Sequence, residues 1–274
     1  GGLGLRAAEL LHSMGATDLV LCSRGGASTP LRSSLSMARV VPCDVSDAAE
    51  VAHVAHVLMQ GGSAVGYVHA SGVLADSLVQ RLSSEQVRRV LSPKTGGAWQ
   101  LQTSSWQVQV QGFVLFSSIA SAFGNVGQAN YSAANSYLDT FARYRQSRAL
   151  VASSLQLSLV KGSGMADSVA RQDGMITLSM DEYACCLHSL ITKAALGVSG
   201  TSLLPLTPAG LGNITSLQTP SVRDLASEAV PKESLEEEEE DVAVAHFKLV
   251  DIESMVLQAV QALAGNDAGG DTLD

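Results

Sequence analysis

Aromatic side chains are scarce in this 274-residue chain, at 4%, and charged ones make up only 16%. With 46% apolar residues, that balance excludes a fibrous protein and fits one ordinary domain with some additional sequence. No apolar run approaches the ~20 residues that span a bilayer, which excludes a helical membrane protein. The opening Gly1-Gly-Leu-Gly-Leu-Arg6 lacks the charged-then-apolar order of a secretory signal. Cysteine is also sparse. The four, at 22, 43, 185 and 186, have no metal-type spacing, and adjacent Cys185 and Cys186 are poorly placed to bridge each other. The expectation is four small packing residues in a reducing, cytoplasmic setting, with no metal site. An excess of basic charge is missing too: 17 Lys and Arg face 26 Asp and Glu, for a formal charge of −9. Residues 228–241 hold eight of the acids and one lysine, which leaves −2 for everything else. A nearly neutral body argues against a nucleic-acid partner.

What is present is an alternation. Residues 1 to about 160 interleave glycine-punctuated amphipathic stretches with short apolar runs, as βαβ units around a parallel sheet do. Asp18–Ser23, Val65–Ala70 and Gly112–Ser118 are predicted as strands buried on both faces, with a further strand region over Val40–Val45. Leu5–Gly15 is predicted as a helix ending on a C-cap glycine. Asn130–Arg148 is predicted as a second, with Ala134, Tyr137, Leu138 and Phe141 on one stripe and a largely polar opposite face. Ser179-Met-Asp-Glu182 has the form of a capping box before a further helix. The fold class expected is α/β, a Rossmann-type doubly wound parallel sheet with helices on both faces, over residues 1–206. From 207 to 241 the chain turns Pro-, Ser-, Thr- and then Glu-rich and reads as a solvated interdomain linker. An amphipathic helix from Val242 to Leu263 then opens a partial helical domain over 242–274.

Gly2-Leu-Gly4, running into Leu-Arg-Ala-Ala-Glu, has the form of a glycine-rich turn entering a helix, where amides and the helix dipole meet a pyrophosphate. Twenty residues on, the strand Leu19–Ser23 ends in Arg24, where an NAD enzyme carries an acid for the ribose hydroxyls. A guanidinium there suits a 2′-phosphate and hence NADPH, while a plain surface arginine at a strand end is the equal alternative. Asp44, beside Val45, either reaches an adenine amino group or caps Ser46-Asp-Ala. Ala70, Ser71 and Gly72 form a small-residue turn that lets backbone approach a cofactor ribose.

Ser118 closes its strand; Tyr131 follows thirteen residues later and Asn135 four further, and Lys94 precedes Ser118 by twenty-four. Tyr131 and Asn135 share a helix face. A strand-end serine can face a tyrosine of the next helix across the crevice beyond the carboxyl ends of such a sheet.

At these residues the sequence resembles the ketoreductase domain of modular polyketide synthases, within the short-chain dehydrogenase/reductase superfamily. The resemblance rests on Gly2-Leu-Gly4, Leu19–Arg24, Asp44-Val-Ser-Asp47, His69-Ala-Ser-Gly-Val-Leu74, Ser92-Pro-Lys94, Phe116-Ser-Ser-Ile-Ala and Gly124–Asn135. The animal fatty acid synthase ketoreductase is the nearer rival, but Gln128–Asn135 looks more like the polyketide branch. The resemblance implies NADPH-dependent reduction of a β-ketoacyl thioester held on an acyl carrier protein, inside a multidomain and dimeric parent. It assigns Tyr131 as proton donor, Ser118 as the hydrogen-bond donor to the substrate oxygen, Lys94 as an ammonium that lowers the phenol, and Asn135 as the holder of Lys94 or of a relay water. Stereocontrol falls to Asp76, Phe123 and Met165: Leu74-Ala75-Asp76 keeps the second aspartate of the B-type motif, and Phe123 stands at the A-type tryptophan position. A B-type product follows.

Two departures qualify the resemblance. Where the family shows Trp-Gly-Pro-Trp, this chain has Leu157-Ser-Leu-Val160; the competing reading, a catalytically silent structural domain, rests on that stretch. Gly164–Gly174 is expected to be the lid over the substrate. Aligned with the family, Gly1 falls inside the glycine fingerprint, so the first strand and the subdomain before it are expected to lie outside these 274 residues. Residues 242–274 resemble the start of an acyl carrier protein, short of its phosphopantetheine serine.

Overall fold

The computed structural model describes residues 1–26, 31, 33–59, 65–106, 110–163 and 177–195. All lie in the first of two compact units, Gly1–Ile214. The elements alternate as expected: α1 (Gly2–Ser13), β1 (Val20–Ser23), β2 (Arg39–Pro42), α2 (Ala48–Met59), β3 (Val65–His69), α3 (Ser84–Leu91), α4 (Gly97–Ser105), β4 (Val110–Ser118), α5 (Ala120–Phe123), α6 (Ala129–Ser147), β5 (Ser153–Leu157), β6 (Leu159–Val160), β7 (Thr177–Leu178) and α7 (Met180–Ala195). Each strand pairing is parallel: β1 with β2, β4 between β3 and β5, and β6 with β7.

The centre of the fold is β4, whose side chains alternate between two apolar layers. Val114 and Phe116 pack with Ala7 of α1 and with Tyr183, Leu187 and Leu190 of α7. Phe113 and Leu115 pack on the other side with Ala98 of α4 and with Leu138, Phe141 and Ala142 of α6. A strand covered on both faces is what a near-continuous apolar run encodes, and it makes this a Rossmann-like α/β arrangement. Leu157 and Val160 join the first of these layers, so the stretch that departs from the family is core here. Tyr183 also donates from its hydroxyl to Leu3 O at 2.9 Å, tying α7 to the start of α1.

Local signals explain most boundaries. Gly15, at φ +99°, follows α1 as a left-handed C-terminal glycine. The Ser179 capping box is formed, with Glu182 N donating to Ser179 Oγ at 3.2 Å and Ser179 N to Glu182 Oε2 at 2.7 Å. Ser83 and Gln86 form another at α3. Between α3 and α4 the helix continues through a wide π turn, Ser92–Gly96, into which Pro93 brings no N–H.

Three expectations are corrected. β1 is not buried on both faces: it is half-buried with Cys22 exposed, because among the described residues only one of its edges is paired. Cys185 is exposed as well, so only Cys43 is a fully buried packing cysteine. The face of α6 opposite its apolar stripe is polar and exposed, at Ser136, Thr140, Arg143 and Ser147. Asn130, Asn135, Asp139 and Arg145 are all buried, and the Arg145 guanidinium lies 4.0 Å from the Phe113 ring centroid while bonding Val151 O and Gln102. The strand over Val40–Val45 ends early, at Pro42, which leaves Asp44 and Val45 in the following turn. Met165, the lid segment, the linker over 207–241 and residues 242–274 lie outside the described residues.

Candidate active site

The carboxyl ends of β3 and β4, the π turn and the first half of α6 meet at one place. Ser118, the last residue of β4, is buried, and its Oγ accepts from Ala120 N at 3.2 Å. Tyr131 and Asn135 enter from α6, one turn apart. Side chains of Asn135 and Ser118 both act on the Tyr131 phenol, in the direction that lowers it. Burial nevertheless holds this phenol above its ordinary value, with those two side chains pulling it back and the Asp76 carboxylate pushing it further up. The expected lowering by Lys94 is not among the influences on this phenol, and burial sets its direction.

Lys94 arrives from the π turn. Its Nζ donates to Phe116 O at 2.8 Å and lies 5.6 Å from the Tyr131 ring centroid. Burial lowers its ammonium to about 8, with Asp139 acting in the opposite direction. Gly72 makes room for the side chain, since a Cβ there would stand 3.0 Å from Lys94 Cε. Asn135 is fully buried; its Nδ2 donates to Tyr131 O at 2.8 Å, and its Oδ1 has no partner. An unpaired acceptor buried between a lysine and a tyrosine fits the expected hold on an ammonium or a relay water.

His69 belongs to this site, although the sequence marks it only as the start of a small-residue turn. Its ring is 2% exposed, with Nε2 3.2 Å from Lys94 O. A Cβ at Gly97 would stand 2.8 Å from His69 Cε1 and from Val45 Cγ1, so the three pack without space for a side chain. The imidazole therefore anchors the π turn that presents Lys94. Burial lowers it to about 4, against 6.5 unfolded, and the Lys94 charge adds to the effect. Between those values the unfolded chain binds the extra proton, so stability falls as pH drops from 6.5 through 4. The loss reaches on the order of 3 kcal/mol below pH 4. Thermal melts between pH 7 and 4 check this: His69→Gln should lose clearly less stability on acidification than the wild type, and equal losses contradict the assignment.

Toward the expected cofactor end, Gly1 caps α1, with Gly2 and Gly4 in its first turn. Gly2 abuts Ser163, whose O would lie 2.7 Å from a Cβ at Gly2, and Gly4 faces Ala70. Ser23 Oγ bonds Gly26 O at 3.3 Å and turns the chain after β1, leaving Arg24 exposed. Asp44 takes its capping alternative: Oδ1 accepts from Ser46 N at 3.0 Å and Ser46 Oγ at 2.7 Å. Those bonds, and more weakly the Arg24 charge, lower its carboxyl. Asp47 is the residue that caps α2. Val45 packs against Gly97, while Ala70, Ser71 and Gly72 follow β3 directly. First-turn amides without protruding side chains, a small-residue strand end and an exposed guanidinium fit a phosphorylated dinucleotide.

On the opposite side of Tyr131, Asp76 Oδ2 accepts from Gln128 Nε2 at 2.8 Å, and Asn130 Nδ2 donates to Ala75 O at 3.0 Å. Ser77 N adds a bond to Gly127 O at 2.8 Å. The loop after β3 is thus fastened to the start of α6. Phe123 sits half-buried at the end of α5. Sequence reasoning missed Gln128, Asn130 and Asp139. Asp139 was within reach of helical arithmetic, since 131, 135 and 139 fall on one face. Among the described residues no cluster of His, Cys, Asp or Glu could hold a metal, and no helix is long and apolar enough to cross a membrane.

Residues 1–162 match the family described as the KR domain. Among curated proteins, the chain is 36% identical over 205 residues to polyketide synthase GfsA of Streptomyces halstedii, covering 69% of this chain and 3% of that one. It is 34% identical over 202 residues to the mycoketide-CoA synthase of Mycobacterium tuberculosis, covering 66% and 5%. The chain thus spans a small part of the length of these relatives. Among solved structures, the first ketoreductase of the tylosin polyketide synthase aligns with a TM-score of 0.66 at 26% identity, covering 82% of this chain and 52% of that one. A-type ketoreductases from a modular polyketide synthase align at 0.67 and 29%, covering 79% and 47%.

Proposed function

This chain belongs to the KR-domain family, the ketoreductase domains of polyketide synthases, and on that premise we propose that it reduces a β-ketoacyl thioester to the β-hydroxyacyl thioester with NADPH. The observation that carries the proposal is the meeting of Ser118, Tyr131, Asn135 and Lys94 at the carboxyl ends of β3 and β4. Gly2–Gly4, Arg24 and Ala70–Gly72 would hold a reduced nicotinamide dinucleotide, which would supply a hydride to the β-carbon.

The chain's own residues then handle the oxygen. Ser118 Oγ donates a hydrogen bond to it as negative charge develops, and Tyr131 transfers its phenolic proton. A phenol held up by burial stays protonated at neutral pH, which is the form a donor needs. Lys94, at about 8, is mostly an ammonium near neutrality and close enough to it to give up and regain a proton. It can therefore balance the phenolate and give it back a proton, directly or by way of a water that the unpaired oxygen of Asn135 would hold.

The substrate is proposed to arrive on an acyl carrier protein of the same megasynthase. Residues 1–206 form the reductase domain, 207–241 a linker and 242–274 the start of a carrier. Asp76, held by Gln128 beside Tyr131, supports B-type stereochemistry together with Phe123 and Met165. NADPH oxidation at 340 nm with a β-ketoacyl N-acetylcysteamine thioester tests the activity, and chiral analysis of the product tests the stereochemistry. Turnover with NADPH but not NADH, giving the D-configured alcohol, is expected. Tight NADPH binding without turnover would favour the structural reading instead.

A further inference from the structure

Behind the reacting groups lies a carboxylate for which proton transfer to the substrate has no use. Asp139 is 4% exposed on α6, two turns after Tyr131 and one after Asn135. Its Oδ2 accepts from Gln156 Nε2 at 2.8 Å and lies 2.6 Å from Ser121 Oγ, while Oδ1 accepts from Ser154 Oγ. Ser121 Oγ is also 2.7 Å from Ser118 O, so its single hydrogen stands between two acceptors, of which the carboxylate is the stronger. Three donors around a group that only accepts when ionised suit the charged form. None of the three is charged, so this buried anion needs a cation from elsewhere. Lys94 is the buried cation that senses it. Its own direct partner is a neutral carbonyl, Phe116 O.

We propose that Asp139 is a positioning residue of the reductase: a buried counter-charge, held by β5 and α5, that keeps Lys94 an ammonium behind Tyr131. The inference rests on the ketoreductase reading above. The other titratable groups facing this lysine are Tyr131 from α6 and His69 from β3, with Asp76 acting on Tyr131 from the loop after β3. At neutral pH the phenol and the imidazole carry no charge, which leaves Asp139 as the anion of the buried side.

The test is Asp139→Asn, which keeps the shape and removes the charge. The alkaline limb of kcat should move to lower pH by about one unit, with KM little changed. The titration of Lys94, followed by NMR of 13C-labelled lysine, should move by the same amount. Asp139→Glu should restore both, and Ser154→Ala, which disturbs the cluster but leaves the charge, should move neither. If the Asn protein melts below the assay temperature, Asp139→Ser gives the same two readouts. A folded, charge-free variant whose Lys94 titrates at the wild-type pH overturns the proposal, as does a Ser154→Ala limb displaced as far as that of Asp139→Asn. The NMR arm needs no turnover, so an inactive wild type would count against the reductase reading and leave this one to be decided by the titration.

Discussion

Replacing Tyr131 by phenylalanine should lower turnover of a β-ketoacyl thioester by about 10²–10⁴-fold, the usual contribution of a positioned general acid. The ring stays, so the packing of α6 against β4 is retained, and what disappears is the one hydroxyl that Ser118 and Asn135 both address. NADPH affinity should change little, because the residues proposed to hold the nucleotide lie on α1, at the end of β1 and after β3. Steady-state kinetics beside a fluorescence titration of NADPH separates the two effects. The loss should sit in kcat, since the interaction removed is one made as charge moves. Turnover within a few-fold of the wild type would show that another group delivers the proton, and Lys94, the nearest alternative donor, would then be the first to replace.

The second large effect is expected at Arg24. Replacing it with aspartate should weaken NADPH binding by about tenfold to a hundredfold, as loss of a charge-assisted, bidentate contact does, and should add repulsion toward a 2′-phosphate. NADH, which has no such phosphate, should bind no worse, so the preference between the two should narrow or reverse. The exposed position of Arg24 sets the lower end of that range, because solvent and salt screen it. Parallel titrations of NADPH and NADH at one ionic strength decide the matter. Equal weakening of both would mean that the substitution disturbed the turn after β1, where Ser23 bonds Gly26, and that Arg24 does not read the phosphate.

These effects are predictable because the part of the molecule that carries them is encoded locally. The run Phe113–Phe116 is apolar without interruption because β4 is covered on both faces, and the two serines after it show where the strand stops and Ser118 begins to face the crevice. The spacing of Tyr131 and Asn135 needs only a helix to bring them together, and the Ser179 capping box names its own helix start.

Other features depend on contacts distant in sequence. Asn130, Asn135, Asp139 and Arg145 of α6 are buried, although residues of these types are usually exposed. Asp139 and Arg145 are accommodated there because Gln102 of α4, Ser121 of α5, and Ser154 and Gln156 of β5 supply their partners. The rise of the Tyr131 phenol could not be read from its distance to a lysine. Burial decides it, and burial belongs to the assembled site. The role of His69 depends on a π turn twenty-five residues later, whose carbonyl it meets only after β3 and α4 have packed. Asp44 was ambiguous in sequence because the same carboxylate can serve a ligand or its own turn, and the Ser46 bonds show the turn being served.

The most direct test of the account follows the hydride itself. NADPH carrying deuterium at the transferable C4 position is incubated with the protein and a β-ketoacyl N-acetylcysteamine thioester, and the product is read by mass spectrometry and NMR. One deuterium at the β-carbon of a single β-hydroxyl enantiomer, absent with Tyr131→Phe, is the result predicted here. Unreduced thioester beside demonstrably bound NADPH, or an alcohol without the label, would contradict it.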